Sequence, residues 1–148
     1  ELKAFQDYGY VIMKRAQMLG YITEHSKGIG VAGTHGKTTT STMLAHVLHQ
    51  SIGCNAFLGG ISTNYESNLL LNSASDISVV EADEFDRSFL QLHPFGGVLT
   101  AVDADHLDIY KNAESLLEGF ELYINRINKK YRIAQFLPKP LVSTKNNN

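Results

Sequence analysis

The chain has a single cysteine, Cys54, and so cannot close an internal disulfide. Cys54 also has no metal-ligand neighbour at useful spacing, a pattern that fits a reducing, cytoplasmic compartment. No apolar run approaches the ~20 residues that a membrane helix needs, and no segment resembles a secretory leader. An excess of charge of one sign is missing as well. Thirteen Lys and Arg against fifteen Asp and Glu leave a formal charge of -2, with no electrostatic footprint for nucleic acid or an anionic membrane. Internal repeats are absent, and low complexity is confined to Asn146, Asn147 and Asn148. What remains is an ordinary globular composition, 43% hydrophobic and 19% charged, in 148 residues. That is one domain's length and enough to bury a core. Both ends read as interruptions: the first residue is Glu1, and residues 138–148 lose hydrophobic periodicity and are expected to be loosely held.

Alternation of short apolar runs with amphipathic stretches predicts an α/β fold. Strands are expected at residues 9–13, 29–32, 54–58, 69–71, 77–80 and 97–102. Helices are expected at 14–25, 38–50, 88–92 and 113–127, with 61–68 as a polar loop. In the second helix, Met43, Leu44, Val47 and Leu48 form the expected apolar stripe, and in the last, Leu116, Leu117, Phe120, Tyr123, Ile124 and Ile127 share a face. The pattern implies a P-loop-type, mostly parallel sheet with helices on both faces.

Three segments carry chemistry. In the first, Gly33, Thr34, His35, Gly36, Lys37, Thr38 and Thr39 lie between a predicted strand and a predicted helix. Glycines there let consecutive N–H groups turn inward around phosphate oxygens, and the helix N-terminus adds its dipole. Lys37 would reach the β- and γ-phosphates of ATP, and the Thr38 hydroxyl would ligate Mg²⁺. The strict phosphate-loop pattern wants a glycine where this chain has Val31. In the second, Glu81, Ala82, Asp83 and Glu84 follow a strand, where open α/β sheets bind ligands and a hard cation finds oxygen. In the third, Asp103, Asp105, His106 and Asp108 follow the next strand, where a neutral imidazole can ligate a metal.

Taken together and in this order, these segments resemble the Mur ligase family. The matching pieces are the loop at residues 32–40, the Gly59-Gly60 pair after Phe57 and Leu58, the acidic segment through Ser88, Phe89 and Leu90, and Asp105 through Tyr110. The likeness runs from about residue 9 to residue 127. It implies that residues 1–14 are a linker remnant from an N-terminal UDP-binding domain, 15–137 a truncated central ATP-binding domain, and 138–148 a tail. His35 inside the loop points to the member that joins L-alanine to the carboxylate of UDP-N-acetylmuramate through an acyl phosphate. By this likeness Lys37, Glu81 and His106 are catalytic, Thr38 and Glu81 hold one Mg²⁺ and His106 a second, and Gly59, Gly60 and His35 face the sugar substrate. Small molecules are then the partners, with neither nucleic acid nor membrane among them, and the fragment alone is expected to be inactive. Two alternatives stay open: a ligase that returns a tripeptide to the same sugar nucleotide, and a phosphate-loop module without ligase chemistry. Relatives often carry asparagine where this chain has Ala101, so a polar contact there is expected to be lost.

Overall fold

In the computed structural model, residues 2–103, 113–127 and 132–135 are described. Among them the chain forms a six-stranded sheet of order β3-β2-β4-β1-β5-β6. The strands are β1 (Lys27–Ala32), β2 (Asn55–Ser62), β3 (Ser67–Leu70), β4 (Ile77–Glu81), β5 (Gly96–Leu99) and β6 (Arg132–Gln135). Only the β2–β3 pairing is antiparallel; the other four are parallel. The α-helices are α1 (Leu2–Asp7), α2 (Arg15–Glu24), α3 (Lys37–Ser51) and α4 (Ala113–Arg126).

Neighbouring residues of the central strands serve opposite cores, as the period-two geometry of a strand requires. Val31 and Val79 face Ala45, Cys54, Ala56 and Leu58 on the α3 side. Ala32 and Val80 face Leu19 of α2 and Phe120 and Tyr123 of α4 on the other. The expected α/β sheet with helices on both faces is therefore present. Val31 keeps its bulk because it is still inside β1 and fully buried, so the glycine of the strict pattern has no place there. Burial also raises the Cys54 thiol above its ordinary range, as for a structural cysteine in an apolar core.

Several local expectations change. Residues 9–13 form no strand; this stretch is exposed and pairs with nothing in the sheet, so its β-rich composition finds no partner edge. In α3, Met43 and Val47 are exposed, while Ser41 and Ala45 are buried. The helix sits on the sheet through these small residues, flanked by half-buried Leu44 and Leu48, which rotates Met43 and Val47 outward. Leu117 of α4 likewise points toward solvent. The predicted polar loop at 61–68 is shorter, because β2 continues to Ser62 and β3 begins at Ser67. The predicted helix at 88–92 is a 3₁₀ segment, Phe85–Gln91, interrupted by left-handed Asp86 and Arg87. Strand β6 was not anticipated, and the tail at 138–148 lies outside the described residues.

The α4 core closes on one polar atom. Tyr123 is fully buried and stacks on Phe89 at 5.1 Å, and its hydroxyl has no hydrogen-bond partner among the described residues. A β-carbon on Gly30 would overlap that hydroxyl, so the glycine admits the ring. Burial raises the phenol above its ordinary value near 10, so the folded chain keeps a proton that the unfolded chain releases. The corresponding stability is complete below about pH 10 and is lost as the pH rises beyond it. Tyr123→Phe keeps the stacking and is expected to raise stability by about 1 kcal/mol and to remove this alkaline slope, read by urea denaturation at pH 8 and pH 10.5. Gly30→Ala should destabilise the wild type more than it destabilises Tyr123→Phe.

Candidate functional site

The site lies at the carboxyl ends of β1, β4 and β5. From β1 the chain leaves through α3 toward β2 on one side of the sheet, whereas β5 and β6 lie on the other side, so the end of β1 is a topological switch point. Here the loop at residues 33–36 turns sharply. Gly33 has φ 137° and Gly36 φ 77°, both in the region that favours glycine. A β-carbon on Gly33 would overlap the Thr100 hydroxyl and stand 2.8 Å from the Ala101 carbonyl oxygen. Gly36 caps α3 from a left-handed conformation and, being glycine, makes no side-chain cap hydrogen bond to the first turn. Uncapped first-turn donors behind a glycine turn are the elementary anion site of an α/β fold.

Thr34 is turned inward. Its N–H donates to the Ala101 carbonyl at 2.8 Å, and its hydroxyl lies 3.3 Å from the same oxygen while accepting the Asp103 N–H at 3.0 Å. Thr34 thus fastens the loop to the segment after β5, and residue 101 makes its polar contact through the backbone, which alanine supplies as well as asparagine does. The Thr100 hydroxyl adds bonds to the carbonyls of Ala32 and His35. His35 and Thr39 are exposed on the loop and on the first turn of α3.

Glu81, the last residue of β4, gathers the neighbouring elements. Thr38 donates its hydroxyl to Oε1 at 3.0 Å, and Ser41 lies 3.4 Å from Oε2. The Gly59 N–H donates to Oε2 at 3.0 Å. This bond exists because β2 pairs with β4 only through Phe57, beyond which a side chain takes over from the ladder. A β-carbon on Gly59 would stand 2.6 Å from the Glu81 carboxyl carbon, and one on Gly60 3.1 Å from the Thr38 methyl. The Gly59-Gly60 pair is therefore not a turn ending the strand. It lies inside β2, where the register against β3 is irregular, and it lets the strand approach Glu81 and α3.

Lys37 reaches back across the loop. Its Nζ donates to the Gly33 carbonyl at 2.7 Å and to Glu84 Oε1 at 3.0 Å, with Oε2 at 2.8 Å. Thr38 and Glu81 offer a hydroxyl and a carboxylate, the hard oxygen donors that suit Mg²⁺, which typically completes its shell with water and phosphate. Among the described residues no group of three or more His, Cys, Asp and Glu could enclose a metal, so any cation here would depend on such outside ligands. His106, Asp105 and Asp108 lie outside the described residues, whereas Asp103 is exposed at the end of the described segment. Behind Glu81 a cavity of about 170 Å³ opens between α2 and the 3₁₀ segment, lined by Arg15, Leu19, Asp83, Ser88 and Phe89 among others. Ser41, Thr100 and the role of Glu84 were not anticipated. Ser41 could have been found as the residue three beyond Thr38, on the same helix face.

Comparison with known proteins agrees with this geometry. A Mur ligase middle domain family model matches residues 31–139. The UDP-N-acetylmuramate–L-alanine ligase of Parabacteroides distasonis is 59% identical over 128 residues, 86% of this chain and 28% of that protein. Its namesake in Flavobacterium johnsoniae is 48% identical over 138 residues, 93% of this chain and 30% of that protein. Among solved structures, the UDP-N-acetylmuramate:L-alanyl-gamma-D-glutamyl-meso-diaminopimelate ligase from Neisseria meningitides is similar with a TM-score of 0.72 at 30% identity. The likeness covers 86% of this chain and 44% of that one. The chain spans about 28% of the length of the curated relatives it matches best among these. A glycine loop at the switch point, followed by a carboxylate that joins strand to helix, is thus the local form of a wider likeness: the chain belongs to the Mur ligase family and corresponds to its middle domain.

Proposed function

We propose that this chain is the ATP-binding part of a ligase that joins L-alanine to the carboxylate of UDP-N-acetylmuramate. The observation that carries the reading is the convergence of Lys37, Thr38 and Glu81 on the uncapped start of α3. The 59% identity to an alanine-adding relative supports the choice of substrate. In the reaction, a carboxylate oxygen of the sugar nucleotide attacks the γ-phosphorus of ATP, and ADP leaves. The amine of L-alanine then attacks the acyl carbon, losing a proton and expelling inorganic phosphate as the amide forms. Phosphoryl transfer of this kind depends on positioning and charge neutralisation more than on covalent help.

The residues divide that work. The first-turn N–H groups of α3 and the loop at 33–36 receive phosphate oxygens, and Lys37 adds a positive charge beside them. Thr38 and Glu81 would hold one Mg²⁺, which supplies charge neutralisation across the phosphates. His106 is assigned to a second Mg²⁺ site by family likeness. Gly59 and Gly60 keep β2 close enough for Glu81 to be held in place. His35, exposed on the loop, is assigned to the sugar-nucleotide side. Residues 15–137 make up this ATP-binding part, with residues 1–14 leading into it.

The tripeptide ligase remains the rival within the family, favoured by the Neisseria structure's likeness at 30% identity. In the complete ligase, competition between L-alanine and the tripeptide is expected to yield the alanine product in large excess. A dominant tripeptide product would reverse the assignment. Lys37→Ala should weaken ATP binding by about a hundredfold, read by calorimetry, as expected for losing a hydrogen-bonded charge on phosphate. Gly59→Ala, which forces the Glu81 carboxylate aside, should weaken Mg·ATP binding about tenfold and leave metal-free ATP binding nearly unchanged. Equal losses with and without Mg²⁺ would remove Glu81 from the metal site.

A further inference from the structure

The Glu84 carboxylate has no part in the proposed chemistry, yet it is the more deeply buried of the two glutamates at the site. Its side chain is 4% exposed and that of its partner Lys37 is 14% exposed. Both carboxylate oxygens lie within 3.0 Å of Lys37 Nζ, which also donates to the Gly33 carbonyl. Burying a carboxylate this far is costly unless a counter-charge stands beside it, and Lys37 supplies that charge. The backbone leaves Glu84 little room to withdraw. The Arg87 N–H donates to its carbonyl at 3.0 Å, left-handed Asp86 and Arg87 reverse the chain, and Phe89 anchors the segment in the core with no exposed surface.

We propose that Glu84 is an internal occupant of the phosphate position on Lys37: a fixed carboxylate that aims the ammonium across the loop and competes with the nucleotide for it. The proposal rests on the reading of residues 33–38 as a phosphate loop. When phosphate arrives, Lys37 has two anionic partners, and Glu84, locked in its turn, stays close to the incoming negative charge. Its hold on the ammonium draws Lys37 away from the phosphate, which weakens nucleotide binding and hastens ADP release, so Glu84 acts as a positioning residue that sets the affinity of the site. This distinguishes it from Glu81, which faces the hydroxyl of Thr38 and the Gly59 N–H and forms no ion pair among the described residues.

The test is steady-state kinetics and ADP titration of the complete ligase with Glu84→Gln, which removes the charge and preserves the shape. Affinity for ADP and apparent affinity for ATP are each expected to rise about tenfold, because the Lys37 charge is then free to serve the phosphates alone. At the same time kcat should fall as ADP release slows, and thermal stability should decline. A purely structural glutamate would lose stability without that gain in affinity. Glu84→Asp, which keeps the charge, should leave ADP affinity within about twofold of wild type even if it is less stable. In a Lys37→Met background, Glu84→Gln should produce a much smaller gain, because the contested cation is gone. Unchanged or weaker ADP affinity in Glu84→Gln, beside normal binding by the wild type, would overturn the proposal alone. An equal gain in the Lys37→Met background would overturn it too, since the effect would then be a general field. Failure of the wild type itself to bind ADP or ATP would remove the phosphate-loop reading and this proposal with it.

Discussion

The site depends on one carboxylate. Glu81 closes β4, and its two oxygens receive the Thr38 hydroxyl from the start of α3 and the Gly59 N–H from β2. Both hydrogen bonds have an ionised acceptor, which makes them stronger than neutral ones. They fix the first turn of α3 against the sheet edge, and so fix the direction in which its uncapped N–H groups point. Gly59 makes this contact possible, because any side chain there would occupy the space of the carboxylate itself, and Gly60 leaves room for the Thr38 methyl.

A second acid sits three residues further along the same segment, in a different environment. Glu81 is half-buried and meets neutral donors, while Glu84 is buried and meets a cation. The turn between β4 and the 3₁₀ segment produces the difference. It carries Glu84 inward toward Lys37, then delivers Phe89 to the aromatic cluster with Phe120 and Tyr123. The packing of α4 is thereby linked mechanically to the charge that faces the loop lysine. One contiguous stretch of chain serves the core, the loop lysine and the carboxylate at the start of α3 at once.

Much of this was legible from residue order. The sequence places glycines at 33 and 36 between an apolar run and an amphipathic one, and strand, loop and helix followed as physics requires. The acidic cluster at the end of β4 could be located because open sheets bind ligands at that edge. Four things were not legible, each for a physical reason. The two acids look alike in sequence, and only the left-handed turn at Asp86 and Arg87 separates their fates. The Gly59-Gly60 pair reads as a turn, because glycine pairs usually break strands; its purpose here is a cross-strand approach that no local pattern encodes. The buried face of α3 was rotated because small residues, Ser41 and Ala45, pack closest to the sheet, whereas hydrophobicity alone selects Met43 and Val47. The run at residues 9–13 had strand composition and no edge to join.

Glu81 and the start of α3 would together form one oxygen-and-amide cradle for a nucleotide's phosphates and their cation. The most direct measurement is a crystal structure of the chain grown with Mg²⁺ and a non-hydrolysable ATP analogue. Phosphate oxygens are expected on the backbone N–H groups between Gly33 and Thr38, with the metal bound to the Thr38 hydroxyl and served by Glu81. A nucleotide seated elsewhere on the sheet edge, or a metal that leaves the Thr38–Glu81 bond intact and stands apart from both, would contradict it.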